Sequence, residues 1–374
     1  MVQKSSLELQ QQVGQMLIMG FDGLEMGARL RTMLSSLQPG GVILFRRNID
    51  SADQTYSLVQ ECRKSISTPS FLCVDLEGGA VDRFRDLIAP APSVNEVTAA
   101  GNRQLFRKHG QLLGRECRAF GFNTDFAPVL DLGLEASKQV LTTRTVSADP
   151  RKVVVYAREL LKGLKDVGIL GSGKHFPGLG EASLDTHHAM PKIVKPWKRL
   201  WEEDLYPYRT LVHELPFVMV AHAAYPGITK NGTPASISRK WITDILRKKI
   251  GYKGLIAADD LEMGGVQAAA SIEEAAVETV RAGSDIFLVC HKEELVWRCH
   301  GAVLKTAETD RRFRELVRTA SKRILSVKKR SPELKMRPPR KPEQKTLDQL
   351  RRAVWEFSEE VRLDAEAPRI ATQV

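Results

Sequence analysis

The chain runs to 374 residues with 43% hydrophobic side chains and a formal net charge of +11, enough apolar mass to bury a large core in one domain or two. No stretch reaches the ~18 apolar residues of a membrane helix, and the opening MVQKSSLELQQQ lacks the apolar block of a secretory signal, so a cytoplasmic protein is expected. Five cysteines without CxxC spacing argue against a disulfide framework or a zinc knuckle.

Short apolar runs of strand type recur along the chain: GQMLIMGF (14–21), GGVILF (40–45), SFLCVDL (70–76), NTDFAPVLDL (123–132), GILGSG (168–173), FVMVAHAAY (217–225), GLIAADDL (254–261) and SDIFLVCH (284–291). Segments of helical spacing such as VVVYARELLKGLKDVG (153–168) and ITDILRKKIG (242–251) lie between them. Eight such alternations predict a single-domain α/β fold, a (β/α)8 TIM-type barrel, rather than an open doubly wound sheet. The stretch GFDGLEMG after the first run is a poor match to GxGxxG, which weakens a nucleotide-binding reading.

Active sites of such barrels sit at the C-terminal ends of the strands, and the polar residues follow that rule. Asp75 and Glu77 close the third run, Asp131 the fourth, Lys174 and His175 the fifth, His222 the sixth, Asp259 and Asp260 the seventh and His291 the eighth. Asp131, His222 and His291 read as supporting rather than reacting groups. Gly173, Pro177 and Gly178 break regular structure around Lys174 and His175, placing that cluster on a loop at a strand end. Asp185 and His187 form a natural dyad on the glycine-flanked segment that follows. The carboxylate orients the imidazole and favours its protonated form, which suits a general acid. Successive strand side chains point to opposite faces, so at most one of Asp259 and Asp260 looks into the barrel mouth. Such a carboxylate can bind a metal, act as a base or attack an electrophilic carbon. With Asp75, Arg83, Arg144, Lys174 and His175 as fixed donors and acceptors, the pocket suits a small polyhydroxylated ligand. An aromatic content of 6% leaves little for a polymer platform.

Towards the C-terminus the positive charge proves regional. Between Arg311 and Lys345 stand 14 Lys or Arg against three Glu, a surplus of 11 that equals the whole net charge. The pattern predicts a helix with one basic, solvated face and a Pro-rich connector over 331–345, without the aromatic interleaving of a nucleic-acid surface. No nucleic-acid partner is expected. From 346 to 374, Leu347, Leu350, Val354, Phe357 and Val361 follow one helical face, with Thr346 and Gln349 as a capping box. This helix is expected to dock on the 1–330 barrel or on a second copy of it, and the sequence sets no oligomeric state.

The chain resembles the β-N-acetylglucosaminidase branch of glycoside hydrolase family 3, the NagZ-type enzymes, through its motifs. The loop stands as KHFPGLG (174–180) followed by Asp185-Thr186-His187; [ST]DDLxM appears as Ala258 to Met263, DxEGGxVxR as Asp75 to Arg83, FAPVxDL as Phe126 to Leu132, and PAS[LI]S as Pro234 to Ser238. Leu179, Glu181 and Ala182 stand where the loop usually carries His, Asp and Thr, Ala258 where Ser is usual, and Arg144-Thr145-Val146-Ser147 where RSFG is usual. The resemblance implies an exo-acting, retaining β-N-acetylhexosaminidase without metal or cofactor. It implies Asp259 as nucleophile and His187, paired with Asp185, as acid/base, with Asp75, Arg83, Arg144, Lys174 and His175 holding a terminal GlcNAc. It also implies cell-wall muropeptide fragments, with an anhydro-muropeptide as the leaving side; the residues themselves leave a chitin or glycan fragment open, and phosphate in place of water. Two other classes stay in view. A metal-dependent hydrolase with His175, His187, His188 and Asp259 as ligands would want an HxH on the first strand, where GQMLIMGF has none. A non-catalytic sugar-binding barrel would fail to turn over an aryl β-GlcNAc.

Overall fold

A computed structural model describes residues 2–186 and 188–366, with side chains from residue 8 onward. Among them, eight parallel strands form one sheet in the order β4-β3-β2-β1-β8-β7-β6-β5: β1 (Leu17–Met19), β2 (Gly41–Ile43), β3 (Phe71–Val74), β4 (Thr124–Asp125), β5 (Ser172–Phe176), β6 (Phe217–Val220), β7 (Leu255–Asp260) and β8 (Ile286–Val289). The edges β4 and β5 are joined by bridges Thr124–Leu170 and Val129–Lys174. Backbone bonds such as Asp125 N to Leu170 O (2.8 Å) and Ser172 N to Ala127 O (2.7 Å) close the barrel. Nearly every strand residue is buried, because helices cover the outside and side chains fill the inside. Parallel strands of this kind read as continuous apolar runs rather than alternating ones.

Seven strands lie inside their predicted runs, and β5 does not. It occupies Ser172–Phe176, so Lys174 and His175 are strand residues rather than loop residues. Gly173 fits there because a side chain would collide with Leu130 and Leu215, and polar residues continue the strand because the barrel mouth supplies them with charged partners. Of the two predicted helices, the first forms as Pro150–Asp166, started by the Asp149 side chain accepting from Arg151 N and by Pro at its first position. The second, Lys240–Lys249, winds as a π-helix.

Down the barrel axis Phe126, Phe217 and Phe71 pack edge to face. They separate the C-terminal mouth from the N-terminal floor, where Lys328 of helix Arg311–Arg330 reaches in. That lysine keeps 2% of its surface exposed, sets its ammonium 5.1 Å from the Phe71 ring centroid and donates to Gln15 Oε1 at 2.8 Å. The expectation of a wholly solvated basic face therefore holds for most of this helix but not for Lys328, nor for Arg323, which binds the buried Asp285.

The connector is pinned to the barrel. Tyr56 donates to Pro339 O at 2.6 Å, Arg118 to Arg337 O at 3.3 Å, and Met336 lies against Gly168. The final helix, Gln344–Glu366, buries all five predicted residues against helices Val94–Ala100 and Arg103–Ala119. Each such burial contributes about 1.5–3 kcal/mol, ample to hold the helix on its own barrel. It begins before the expected capping box, with Glu343 O accepting from Thr346 N and Leu347 N, so Thr346 is already inside the first turn. The tail 367–374 lies outside the described residues. All five cysteines are buried and free, and no described helix is long and apolar enough to cross a membrane.

Candidate active site

The loop after β3 carries Asp75 and Glu77, two residues apart and therefore on one face of extended backbone. Both reach Lys174 of β5: its Nζ lies 2.8 Å from Asp75 Oδ1 and 2.7 Å from Glu77 Oε1. Arg144, at the end of the short helix Thr142–Arg144, clasps Glu77 with two bonds, Nε to Oε2 at 2.7 Å and Nη2 to Oε1 at 2.9 Å. Arg83 approaches Asp75 more loosely, at 3.6 Å. Burial alone would neutralise these acids. Lys174 and Arg83 outweigh it for Asp75, and Arg144 and Lys174 for Glu77, holding both carboxyls below their ordinary range. Burial would likewise discharge Lys174, but Asp75 and Glu77 keep its ammonium above the usual lysine range. The result is a chain of alternating charges that stays ionised across the physiological range.

His175 is held by Asp131, which accepts from its ring at 2.7 Å (Nδ1 to Oδ2) and from the backbone amides of His175 and Leu179. Asp131 is thus a supporting residue, as expected. So is His222, fully buried, whose ring lies 2.7 Å from Ser236 Oγ and 2.8 Å from the carbonyl of Asp260. Burial lowers its pKa, which suits a neutral ring between two polar neighbours.

The β7–β8 ladder shifts register between Ala258 and Asp260, and both Asp259 and Asp260 line the cavity. The strict alternation expected from an unbroken strand does not apply across this shift. The two acids still differ in kind. Asp260 is engaged by the amides of Glu262 (3.1 Å) and Cys290 (3.2 Å) and by the His291 ring at 3.4 Å. Asp259 accepts from the Asp260 amide at 2.8 Å and makes no ion pair among the described residues. His291 stacks on Phe45, centroids 5.5 Å apart, and its hydrogen bond to Asp260 raises its pKa.

These groups enclose a cavity of about 170 Å³, below the roughly 300–1,000 Å³ of a site for a drug-sized molecule. Asp75, Arg83, Arg144, Lys174, His175, Asp185 and Asp259 all line it, so the structure brings together every predicted site residue that it describes. His187, the predicted acid/base, lies outside the described residues. Glu77 was not counted among the predicted binding residues, although its spacing from Asp75 was the signal for a shared face. Phe45, Met219 and Met263 also line the cavity; Phe45 ends the second apolar run and Met263 the Ala258–Met263 motif, but neither is among the predicted site residues. No group of three or more His, Cys, Asp or Glu among the described residues is arranged to hold a metal ion.

The sequence profile of the Glycosyl hydrolase family 3 N terminal domain matches residues 8–327. The chain belongs to glycosyl hydrolase family 3. Within it, the chain is 39% identical over 264 residues to the β-hexosaminidase of Bordetella avium, spanning 68% of this chain and 75% of that one. It is 34% identical over 302 residues to the β-hexosaminidase of Stenotrophomonas maltophilia, spanning 78% and 89%. The solved family 3 β-N-acetylglucosaminidase of Paenibacillus sp. superposes with a TM-score of 0.89 at 31% identity, over 94% of this chain and 68% of that one. NagZ of Neisseria gonorrhoeae, solved with N-trifluoroacetyl-D-glucosamine, superposes with a TM-score of 0.69 at 29% identity, over 82% and 97%. The (β/α)8 expectation and the family resemblance therefore both hold.

Proposed function

We propose that this family 3 glycoside hydrolase is an exo-acting, retaining β-N-acetylhexosaminidase, with Asp259 as nucleophile and His187, oriented by Asp185, as acid/base. The observation that carries the reading is the contrast among the cavity acids. Asp75 and Glu77 are locked to cations, whereas Asp259, among the described residues, accepts from one backbone amide and makes no ion pair, which leaves its electrons available for attack. In the first step an Asp259 oxygen bonds to the anomeric carbon while the glycosidic oxygen leaves with a proton from His187. In the second, His187 takes a proton from water, the water oxygen attacks the same carbon, and the Asp259 carboxylate is released. Two inversions give net retention.

Asp75, Arg83, Arg144, Lys174 and His175 would grip the hydroxyls and acetamide of one non-reducing terminal GlcNAc by charge-assisted hydrogen bonds. The small cavity favours a single ring and hence exo action. For the leaving side we favour cell-wall muropeptide fragments met in the cytoplasm, a reading implied by the resemblance of the KHFPGLG and Asp185-Thr186-His187 motifs to the NagZ-type enzymes. Turnover of an aryl β-GlcNAc, followed by NMR of the first-formed sugar, tests the reaction: β-GlcNAc is expected, and an α product or no turnover overturns the mechanism. Comparing kcat/KM for a GlcNAc–anhydro-muropeptide and for chitobiose tests the leaving side, and a preference for chitobiose overturns that part.

A further inference from the structure

The C-terminal helix Gln344–Glu366 lies beyond the family domain at 8–327, yet it reaches the site through packed side chains. Phe357, 5% exposed, stacks on the His109 ring with centroids 5.6 Å apart and planes 18° apart. His109 is fully buried, and its Nδ1 lies 2.9 Å from the Tyr156 hydroxyl. Its other edge abuts the Asp75–Arg83 loop so closely that a Cβ on Gly78 would come within 3.2 Å of Nε2 and 2.4 Å of Pro92 O. Gly78 (φ +80°) and Gly79 (φ +56°) turn the chain there in a region that favours glycine, and that turn presents Glu77 to Lys174 and Arg144.

Two further contacts bind the helix to the same unit. Arg351 donates to Leu87 O at 2.8 Å, and helix Val94–Ala100, which the C-terminal helix covers, packs in turn on Thr142–Arg144. The loop is itself laced by Glu77 N to Val81 O (2.8 Å) and Gly79 N to Ala91 O (2.8 Å), and by Ala91 N to Asp82 Oδ2 (3.0 Å). Through His109 and helix Val94–Ala100, this one helix is thus linked to the elements that carry both halves of the Glu77–Arg144 clasp.

We propose that the C-terminal helix is a positioning element of the active site, in which Phe357 and Arg351, acting through His109 and the Gly78–Gly79 turn, hold Glu77 in register with Arg144 and Lys174. The inference rests on the assignment of that clasp to sugar binding. A ring at 357 fixes the imidazole plane, the imidazole fixes the turn, and the turn fixes a carboxylate whose displacement by an ångström would spoil a bidentate bond.

The test uses the full chain with Phe357→Leu, which keeps apolar bulk but loses the stack, and Arg351→Met, which loses the Leu87 bond. Two measurements separate the outcomes. Hydrogen–deuterium exchange of the amides between 77 and 91 should quicken in both variants, whatever the site hydrolyses; unchanged exchange overturns the coupling. On an aryl β-GlcNAc, KM should rise about 5- to 20-fold with a smaller change in kcat, and this penalty should vanish when Glu77→Gln is already present. A general loss of stability would persist in that background, so an equal penalty with and without Glu77→Gln also overturns the proposal. A wild-type chain inactive on the glycoside, with exchange still quickened in the variants, would remove the sugar-binding assignment and leave the coupling standing. Phe357→Tyr, which keeps the ring, should restore KM to within about twofold.

Discussion

Two lysines in this barrel, each with 2% of its surface exposed, live under opposite regimes. At the mouth, Lys174 sits between Asp75 and Glu77, and its charge is held so firmly that its pKa lies above the ordinary value. At the floor, Lys328 has one neutral hydrogen-bond partner, Gln15, and the face of Phe71. Burial brings its pKa down to about 7, with the neighbouring Cys73 opposing only in part. Desolvation penalises both ammonium groups; the difference is compensation. The mouth keeps a preorganised lattice of charges facing the cavity, as the proposed grip on a sugar's hydroxyls would require. The floor carries a charge outside the lining of that cavity.

The largest effects should come from the mouth. Asp259→Ala removes the covalent route, so every substrate should lose many orders of magnitude in kcat whatever its leaving group. His187→Ala removes only proton donation, worth roughly 10²–10⁴-fold. A nitrophenyl glycoside should therefore show a burst and then slow turnover that azide accelerates. Pre-steady-state kinetics on the two variants checks this. Equal losses on aryl and sugar leaving groups, without burst or azide effect, would make His187 a binding residue.

Next comes the lattice itself. Lys174→Met leaves Asp75 and Glu77 buried with part of their compensation gone, and breaking a buried pair on one side costs about 3–5 kcal/mol. The melting temperature should fall by several degrees, and kcat/KM should drop by two orders of magnitude or more. The loss also has a direction with pH. Asp75 and Glu77 have depressed folded-state pKa values, so the stability they contribute is present above their unfolded values near 4 and fades as pH falls towards the folded ones. In Lys174→Met that fade should begin at higher pH than in the wild type, as acid titration of unfolding would show. A variant as stable and as acid-resistant as the wild type would mean that the mouth lattice is not held by mutual compensation.

Much of this contrast was legible beforehand, for a physical reason. Strands buried on both faces must be apolar throughout, so eight runs announced eight strands, and the acids ending those runs announced a mouth. The extent of β5 escaped because Lys174 and His175 are tolerated inside a strand only where Asp75, Glu77 and Asp131 meet them in the fold, and those partners are distant in sequence. The rule that only one of Asp259 and Asp260 faces the mouth failed at a register shift, which periodicity does not reveal. The chemical distinction between the two nevertheless survived in their partners. Lys328 read as one more cation in a basic helix because nothing in its neighbours along the chain reports Phe71 or Gln15. The stack of Phe357 on His109 was invisible for the same reason: a helical stripe says that a face is buried, not against what.

At the floor the expected sign reverses. A lysine whose folded pKa lies below its unfolded value of about 10.4 weakens the fold while it is protonated, and the penalty is relieved as pH climbs from about 7 towards 10. Lys328→Met keeps the length of the side chain and removes the charge. It should raise stability at pH 6 by about 1–3 kcal/mol, flatten the rise of stability between pH 7 and 10, and leave kcat/KM unchanged. Urea unfolding at several pH values checks this. Destabilisation at pH 6 would show that the bond to Gln15 and the Phe71 face outweigh desolvation, erasing the distinction between the two ends.

The smallest effect should come from the basic surface around that floor. Arg318, Lys322 and Lys329 are exposed on helix Arg311–Arg330, a helix that contributes no residue to the cavity lining. Arg318 pairs with Glu315 at 3.0 Å in the open, an arrangement worth about 0–1 kcal/mol. Beyond about 8 Å at physiological salt the field of such charges is screened, and the packed phenylalanines of the barrel interior stand between this end and the substrate. Replacing all three with Gln lowers the net charge by three without opening a cavity or orphaning a buried partner. The triple variant should keep kcat/KM on an aryl β-GlcNAc within a few-fold, a change on the order of 1 kcal/mol or less, and its melting temperature should move by no more than a few degrees. The same assay at raised salt should narrow even that gap. A hundredfold loss would place the basic face within reach of the substrate, and the two ends of the barrel would then have to be treated as one functional surface.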